Sequence, residues 1–337
     1  AIHGKNIQHV ASDLDNAEAE GQIWFNTTSS DYKTIVKVAG AWSTGGSLNT
    51  GRHDIGGGGT QTAGIAFGGQ TTPPSTYHAV TETYNGASWT EVGYLNQAAC
   101  GRGCVGQVQT AMLAIGGHPG NLDLNEAWDG SSWTEIADIN TGRKTVGGAG
   151  IQTAGLVFGG ANDSGNIAIC EKWDGSSWTE VADLNTARRG EGGCGATNTA
   201  ALCAGGETAP GAATVNVETW NGTSWTEGNN LNTARNGTAA SGTSSVAVVF
   251  GGGPSYVAIT EYWDGSSWTE LADLSTARGR LAASSETSNT ALAMGGGPNS
   301  AAVEEWNFTS TLAAGAWASG GDLNTARGIM ASAGSAT

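Results

Sequence analysis

Apolar residues fall in short runs, and each run ends in Gly-Gly. The segments are AGIAFGG (63–69), AMLAIGG (111–117), AGLVFGG (154–160), AALCAGG (200–206), VAVVFGG (246–252) and TALAMGG (290–296). A continuous apolar run of this length, bounded by turn residues, predicts a strand covered on both faces. Ahead of such runs lie small residues: GGGG (56–59), GGAG (147–150) and GEGGCG (190–195). They predict a strand in a crowded place where side chains do not fit. After each run come two more segments around Asn-Gly or Asp-Gly, as in VNVETWNGTSWTEG (215–228). That dipeptide between aromatic and β-branched residues predicts a hairpin, because its turn needs positive φ. One unit is therefore four antiparallel strands, A to D from the small-residue end. No stretch has helical periodicity.

The unit repeats. WDGSSWTE is spelled at Trp128, Trp173 and Trp263. Its second Trp has counterparts at Trp42, Trp89, Trp133, Trp178, Trp225, Trp268 and Trp317, 43 to 49 residues apart. An Arg follows each, at Arg52, Arg102, Arg143, Arg188, Arg235, Arg278 and Arg327. A Glu recurs at Glu82, Glu126, Glu171, Glu218, Glu261 and Glu304 or Glu305. A four-stranded unit cannot bury both faces alone. Stacked radially, each covers its neighbour, which predicts an all-β propeller with the large aromatics in the wide outer part of each wedge. The repeat Arg and Glu read as structural partners.

Full units begin at six of the Arg, and a seventh, RGIMASAGSAT (327–337), stops after strand A. GQIWFN (21–26), YKTIVKV (32–38) and AWSTGG (41–46) supply candidates for the missing strands. The expectation is a seven-bladed ring spanning 21–337 after a lead of residues 1–20, its last blade joining residues 21–46 to 327–337. Closure of this kind removes exposed sheet edges. Six blades with a separate N-terminal hairpin is the alternative.

Leu, Ile, Val and Phe are sparse, and the net charge of −16 would ordinarily signal disorder. Thirteen Trp at regular spacing argue for a packed structure instead. Only 14 residues are basic, and seven of them are the repeat Arg. Few charges remain for phosphate, which argues against nucleic-acid binding. No apolar run is long enough to span a bilayer. The five Cys fit no zinc spacing; Cys194 and Cys203 are placed to face each other across a hairpin or to be two small buried thiols.

An Arg opening strand A, a double Gly closing strand B, an aromatic on strand C and a Trp on strand D resemble the kelch motif over residues 41–330. AWSTGGSLNT, GTQTAGIAFGG and WDGSSWTEVADLNTAR are similar to kelch-like repeats of marine bacteriophages, notably cyanophages. EGQIWFNTTSSDYK (20–33) resembles the segment leading into C-terminal domains of phage tail and fibre proteins. The resemblance implies a virion protein, tail-fibre-like or surface-exposed, assembled in the host cytoplasm beside other virion proteins. Two features depart from it: Cys100-Gly101, read as inserted before Arg102, and a long C–D hairpin at 307–317.

No His lies at metal-ligand spacing from another, and no nucleophilic triad can be assembled from the sequence. Most carboxylates recur in every unit, which favours structural roles over a glycosidase pair. The expected function is non-enzymatic and cofactor-free. The copies differ most in the B–C loops after Gly-Gly, which share one face of a propeller. Tyr77, His78, His118, Asn121, Asp123, Asn162, Asp163, Asn166, Glu207 and Tyr256 fall there. Aromatics with Asn and Asp suit a host-surface polysaccharide, through ring stacking and planar hydrogen bonds. Calcium bridging through Asp123, Asp163 and Glu207 would reconcile the acidic chain with an anionic envelope. Loops that vary without a ligand, in a purely structural capsid or tail decoration or extracellular assembly protein, are the competing reading. A glycan-active enzyme is the third.

Overall fold

The computed structural model describes residues 8–10, 23–28, 31–37, 40–284, 287–308 and 310–314. The chain divides into two compact units, residues 1–38 with 310–337, and residues 39–309. The first holds a four-stranded sheet in the order Gln8–Val10, Ile23–Asn26, Asp31–Lys37, Ser310–Ala314. Its first pair is parallel and the other two are antiparallel.

The second unit is a β-propeller of six antiparallel four-stranded blades. Blade 1 runs in the order Gly56–Gly59, Gly64–Phe67, Val80–Tyr84, Trp89–Tyr94, the strands A to D of the sequence reading. Blades 2 to 5 cover residues 103–136, 147–181, 192–227 and 239–270. Blade 6 has strands Ala282–Ala283, Thr290–Met294 and Val303–Asn307, and its outer strand is Ala41–Thr44. The six A strands pack side by side around a central channel, blade 6 against blade 1 included.

The ring thus has six blades, not seven. The expected closing pair was 21–46 with 327–337; residues 327–337 lie outside the described residues. Ala41–Thr44 instead pairs antiparallel with Val303–Asn307, setting Trp42 opposite Trp306. The strands Ile23–Asn26 and Asp31–Lys37 belong to the first unit's sheet. Within the expected C–D hairpin of 307–317, the described strand Ser310–Ala314 pairs instead with Asp31–Lys37. GAWSTGGSLNTGR (40–52) and GAWASGGDLNTAR (315–327) are near copies in sequence, and the N-terminal one supplies the outer strand of blade 6.

Packing explains the composition. The B strands are buried along almost their whole length, as in Gly64–Phe67 and Ala247–Phe250. The repeat Trp lie between blades: Trp133 meets Phe67 of blade 1 edge-on at 4.9 Å, and Trp225 meets Phe158 of blade 3 at 4.8 Å. Trp42 meets Phe250 of blade 5 at 4.8 Å in the same way. Trp89, Trp133, Trp178, Trp225 and Trp268 are all buried; Trp317 lies outside the described residues. Around the channel, a Cβ on Gly148 would stand 2.4 Å from the Cys104 carbonyl oxygen, so only glycine lets those inner strands approach. Cys194 and Cys203 are not opposed, since Cys194 pairs with Leu202 and Gly193 with Cys203, and all five Cys are free thiols.

Candidate binding face and channel mouth

Each blade is pinned by a buried ion pair. Arg52–Glu82 and Arg143–Glu171 meet at 2.5 Å, Arg102–Glu126 at 2.8 Å, and Arg235–Glu261 and Arg278–Glu304 at 2.9 Å; Arg188 pairs with Glu218. Burial lowers the pKa of Arg102, Arg235 and Arg278, and Glu126, Glu261 and Glu304 oppose that shift. The second carboxylate oxygen is held by the segment that enters the blade. Asn140 donates its backbone N–H and its side-chain N–H to Glu171 Oε2, both at 2.7 Å, and its side chain also reaches the Trp178 carbonyl. Asn49, Asn96, Asn185 and Asn232 repeat the arrangement in their blades. These charges are spent on holding strand to strand.

The double Gly belongs to the same device. The second Gly of each pair donates its N–H to the linker leaving its blade: Gly117 to Arg143, Gly160 to Arg188 and Gly69 to Ala99, each at 2.8 Å. The first has φ near +60°, and a Cβ on Gly116 would lie 2.4 Å from the Arg143 carbonyl oxygen. Both dihedral and space demand glycine.

Two residues beyond that linker position, one residue per blade rings the channel. Asp54, Gly101, Thr145, Gly190, Gly237 and Arg280 all have φ between 51° and 63°. Each donates its N–H to the carbonyl of its counterpart in the preceding blade: Gly101 to Asp54, Thr145 to Gly101, Gly190 to Thr145, Gly237 to Gly190, Arg280 to Gly237 and Asp54 to Arg280. The six bonds, 2.6 to 3.0 Å long, form a closed circle. Three members carry side chains in a conformation that favours glycine, and Thr145 is β-branched, so the ring holds them against local strain.

Outside this circle lies the mouth of the channel, a hollow of about 270 Å³. Asp54, Gln70, His118, Lys144, Arg189, Glu207, Asn236 and Arg280 line it. Glu207 accepts from Arg189 at 2.8 Å, from Asn236 Nδ2 at 3.0 Å and from the Gly211 N–H at 3.1 Å. Asp54 accepts from Gln70 Nε2 at 2.9 Å and faces Arg280 at 3.6 Å and His53 at 3.8 Å. Below the circle, an inner cavity of about 150 Å³ is lined by glycine-rich A strands and by Glu191. Glu191 Oε1 accepts from the Gly147 N–H at 3.1 Å while Oε2 has no partner, and burial pushes its carboxyl up to about 8.

The residues expected from the B–C loops lie on loops that interlock between adjacent blades. Tyr77 of blade 1 meets the His118 ring edge-on at 5.2 Å. Asn166 of blade 3 donates to the Glu207 carbonyl, and Tyr256 of blade 5 lies over Gly297 of blade 6. His118 and Glu207 reach the mouth; the other eight do not line it. His78 bonds Thr71 within its own loop, and burial, with the Arg52 charge, lowers its pKa. Asn162 folds back on the Ser164 N–H, Asp163 is exposed beside it, and Asp123 is exposed on blade 2. Asn121 is half-buried, with its side-chain oxygen unpartnered. Among the described residues, no three His, Cys, Asp or Glu come together as a metal site.

Sequence reasoning missed Lys144, Arg189, Arg280, Asp54 and Asn236. The available signal was variation in the linkers around the repeat Arg: His53, Cys100, Lys144, Arg189, Asn236 and Gly279 occupy one structural position in the six blades, and Asp54 and Arg280 fall at the next. The B–C loops drew attention because they vary in length, whereas these linkers vary only in residue type.

The fold and this face define the class: a six-bladed β-propeller with a polar, charged channel mouth on its variable side. No protein-family model matches the chain, and no curated protein matches it.

Proposed function

We propose that the protein is a non-enzymatic bacteriophage virion component, tail-fibre-like or surface-exposed, whose B–C loop face contacts a host-surface glycan. The observation that carries this reading is a division of labour. The repeated charges are buried in the six Arg–Glu pairs, whereas the residues that differ between blades gather on the loops and at the mouth they surround. The kelch-like wording of the repeat, similar to that of marine phages, supports the virion assignment. Other virion proteins are its expected neighbours on the particle surface. Glu207 is occupied by Arg189 and Asn236, which leaves exposed Asp123 and Asp163 as the better candidates for bridging an anionic envelope through calcium.

The test is binding to marine bacterial cells and to their purified envelope polysaccharide, with and without calcium, for wild type and for Tyr77→Ala, His118→Ala and Tyr256→Ala. Saturable binding weakened by these changes supports the reading. No binding by any form overturns it in favour of a purely structural decoration protein. Turnover of the polysaccharide would move the protein to the glycan-active enzymes.

A further inference from the structure

The propeller unit carries ten Lys and Arg: Arg52, Arg102, Arg143, Lys144, Lys172, Arg188, Arg189, Arg235, Arg278 and Arg280. Six are consumed in the buried pairs. Of the four that remain, Lys144, Arg189 and Arg280 line the channel mouth, and Lys172 is on strand C of blade 3. In a chain of net charge −16, three of the four propeller cations outside the buried pairs are gathered in one hollow.

The charges there are unequally satisfied. The two carboxylates, Asp54 and Glu207, already accept from Gln70 and from Arg189 and Asn236. The cations have donors to spare. Among the described residues Lys144 makes no ion pair, Arg280 meets Asp54 only at 3.6 Å with its side chain 54% exposed, and Arg189 uses one nitrogen on Glu207. Three cations against two carboxylates leave one net positive charge, counting His118 as neutral. The backbone N–H groups of the circle beneath are consumed in closing it, so side chains must do the recognising.

Resting on the glycan reading above, we infer that the mouth binds the carboxylate of an acidic sugar, a uronate residue of an envelope polysaccharide. Lys144 and Arg280 contact the carboxylate, and His118, steadied by Tyr77, walls the sugar ring. Thr145 and Arg280 stand three steps apart on the six-membered circle, so the Lys144 ammonium and the Arg280 guanidinium fork enter the hollow from opposite sides and hold a planar carboxylate between them. At about 270 Å³ the hollow lies near the lower end of the range for small-ligand pockets and fits one sugar residue rather than a chain.

The experiment titrates D-glucuronate and D-galacturonate into the full chain by NMR or calorimetry, with glucose, galactose, acetate and inorganic sulfate as comparisons. The expected result is uronate binding that weakens with added salt, exceeds binding of the neutral sugars at least tenfold, and exceeds that of acetate. Lys144→Gln and Arg280→Gly should each cut affinity about tenfold. Arg280→Gly leaves a residue at ease with the local φ, and Lys172→Gln should change nothing. Absence of uronate binding, equal binding of glucose, equal binding of acetate or tighter binding of sulfate, or an equal loss in Lys172→Gln, each overturns the inference. Failure here with persistent binding to host polysaccharide discards the mouth and keeps the attachment reading. Uronate binding without any cell binding does the reverse.

Discussion

Blades 2 and 3 hold the same ion pair from different places on the chain. In blade 3, Arg143 stands in the linker four residues before strand A, and it bonds Thr141 O and Glu171. In blade 2 that linker position is Ala99, recognised by the bond its carbonyl accepts from Gly69. The arginine comes three residues later, as Arg102 beside strand A, and still reaches Glu126 at 2.8 Å. Cys100 and Gly101, expected as an insertion, occupy the positions of Lys144 and Thr145. What is repeated is therefore a buried carboxylate that needs a cation, and the backbone position supplying that cation is free to move. Leaving such a carboxylate unpaired is expensive, which explains why the pair persists through the shift.

The largest effect should come from emptying either slot. Arg102→Ala and Arg143→Ala are each expected to cost roughly 3–5 kcal/mol, read by denaturant unfolding, because each strands a buried glutamate. A cost confined to one of the two blades would break the equivalence drawn here.

The outer Trp should be nearly as costly and equal in both blades. Trp133→Ala and Trp178→Ala remove buried aromatics packed between blades, at about 3–4 kcal/mol each. Near-neutral effects would contradict the packing account.

The third test uses the position that Arg102 occupies. In blade 3 it is Val146 and in blade 4 it is Glu191, which has no cation bonded to it. Arg188 and Arg143 are the charges that favour its ionised form, and burial outweighs both, raising its carboxyl from 4.5 to about 8. Below about pH 4.5 the folded and unfolded chains both hold this proton, so there is no penalty. As pH rises toward 8 only the folded chain keeps it, and stability falls; above 8 the penalty is complete. Glu191→Gln should thus match wild type near pH 4.5 and exceed it by roughly 3 kcal/mol at pH 7. A difference that does not grow with pH would show that Glu191 is relieved by some other contact.

A smaller effect sharpens the comparison itself. The double change Ala99→Arg with Arg102→Val rebuilds blade 2 on the blade 3 plan. It should fall within about 1 kcal/mol of wild type, the ordinary range for a tolerated core exchange. A loss as large as that of Arg102→Ala alone would mean that backbone position matters as much as charge.

The same two blades show what was legible in advance. Strand types, the inter-blade role of the Trp and the partnership of Arg with Glu follow from period and turn chemistry, because every blade solves one packing problem. The blade count did not follow, since Trp42 and Trp317 sit in near-identical segments and local sequence cannot say which of them supplies a given outer strand. The mouth was half legible. His118 and Glu207 stand in visibly divergent loops, but Lys144 and Arg189 directly follow a repeat Arg and read as part of it. Only the closed circle of backbone bonds reveals that these linker residues surround the channel.

Arg143 and Lys144 are neighbours in sequence with opposite assignments, one to the scaffold and one to the ligand. The most direct test is therefore to measure melting temperature and glucuronate affinity together for Arg143→Gln and Lys144→Gln. The account predicts that Arg143→Gln lowers the melting temperature by many degrees and leaves the affinity of the folded fraction unchanged. It predicts that Lys144→Gln leaves the melting temperature within a degree or two and weakens glucuronate about tenfold. A Lys144→Gln protein that melts as early as Arg143→Gln, or that binds glucuronate as well as wild type, would contradict it.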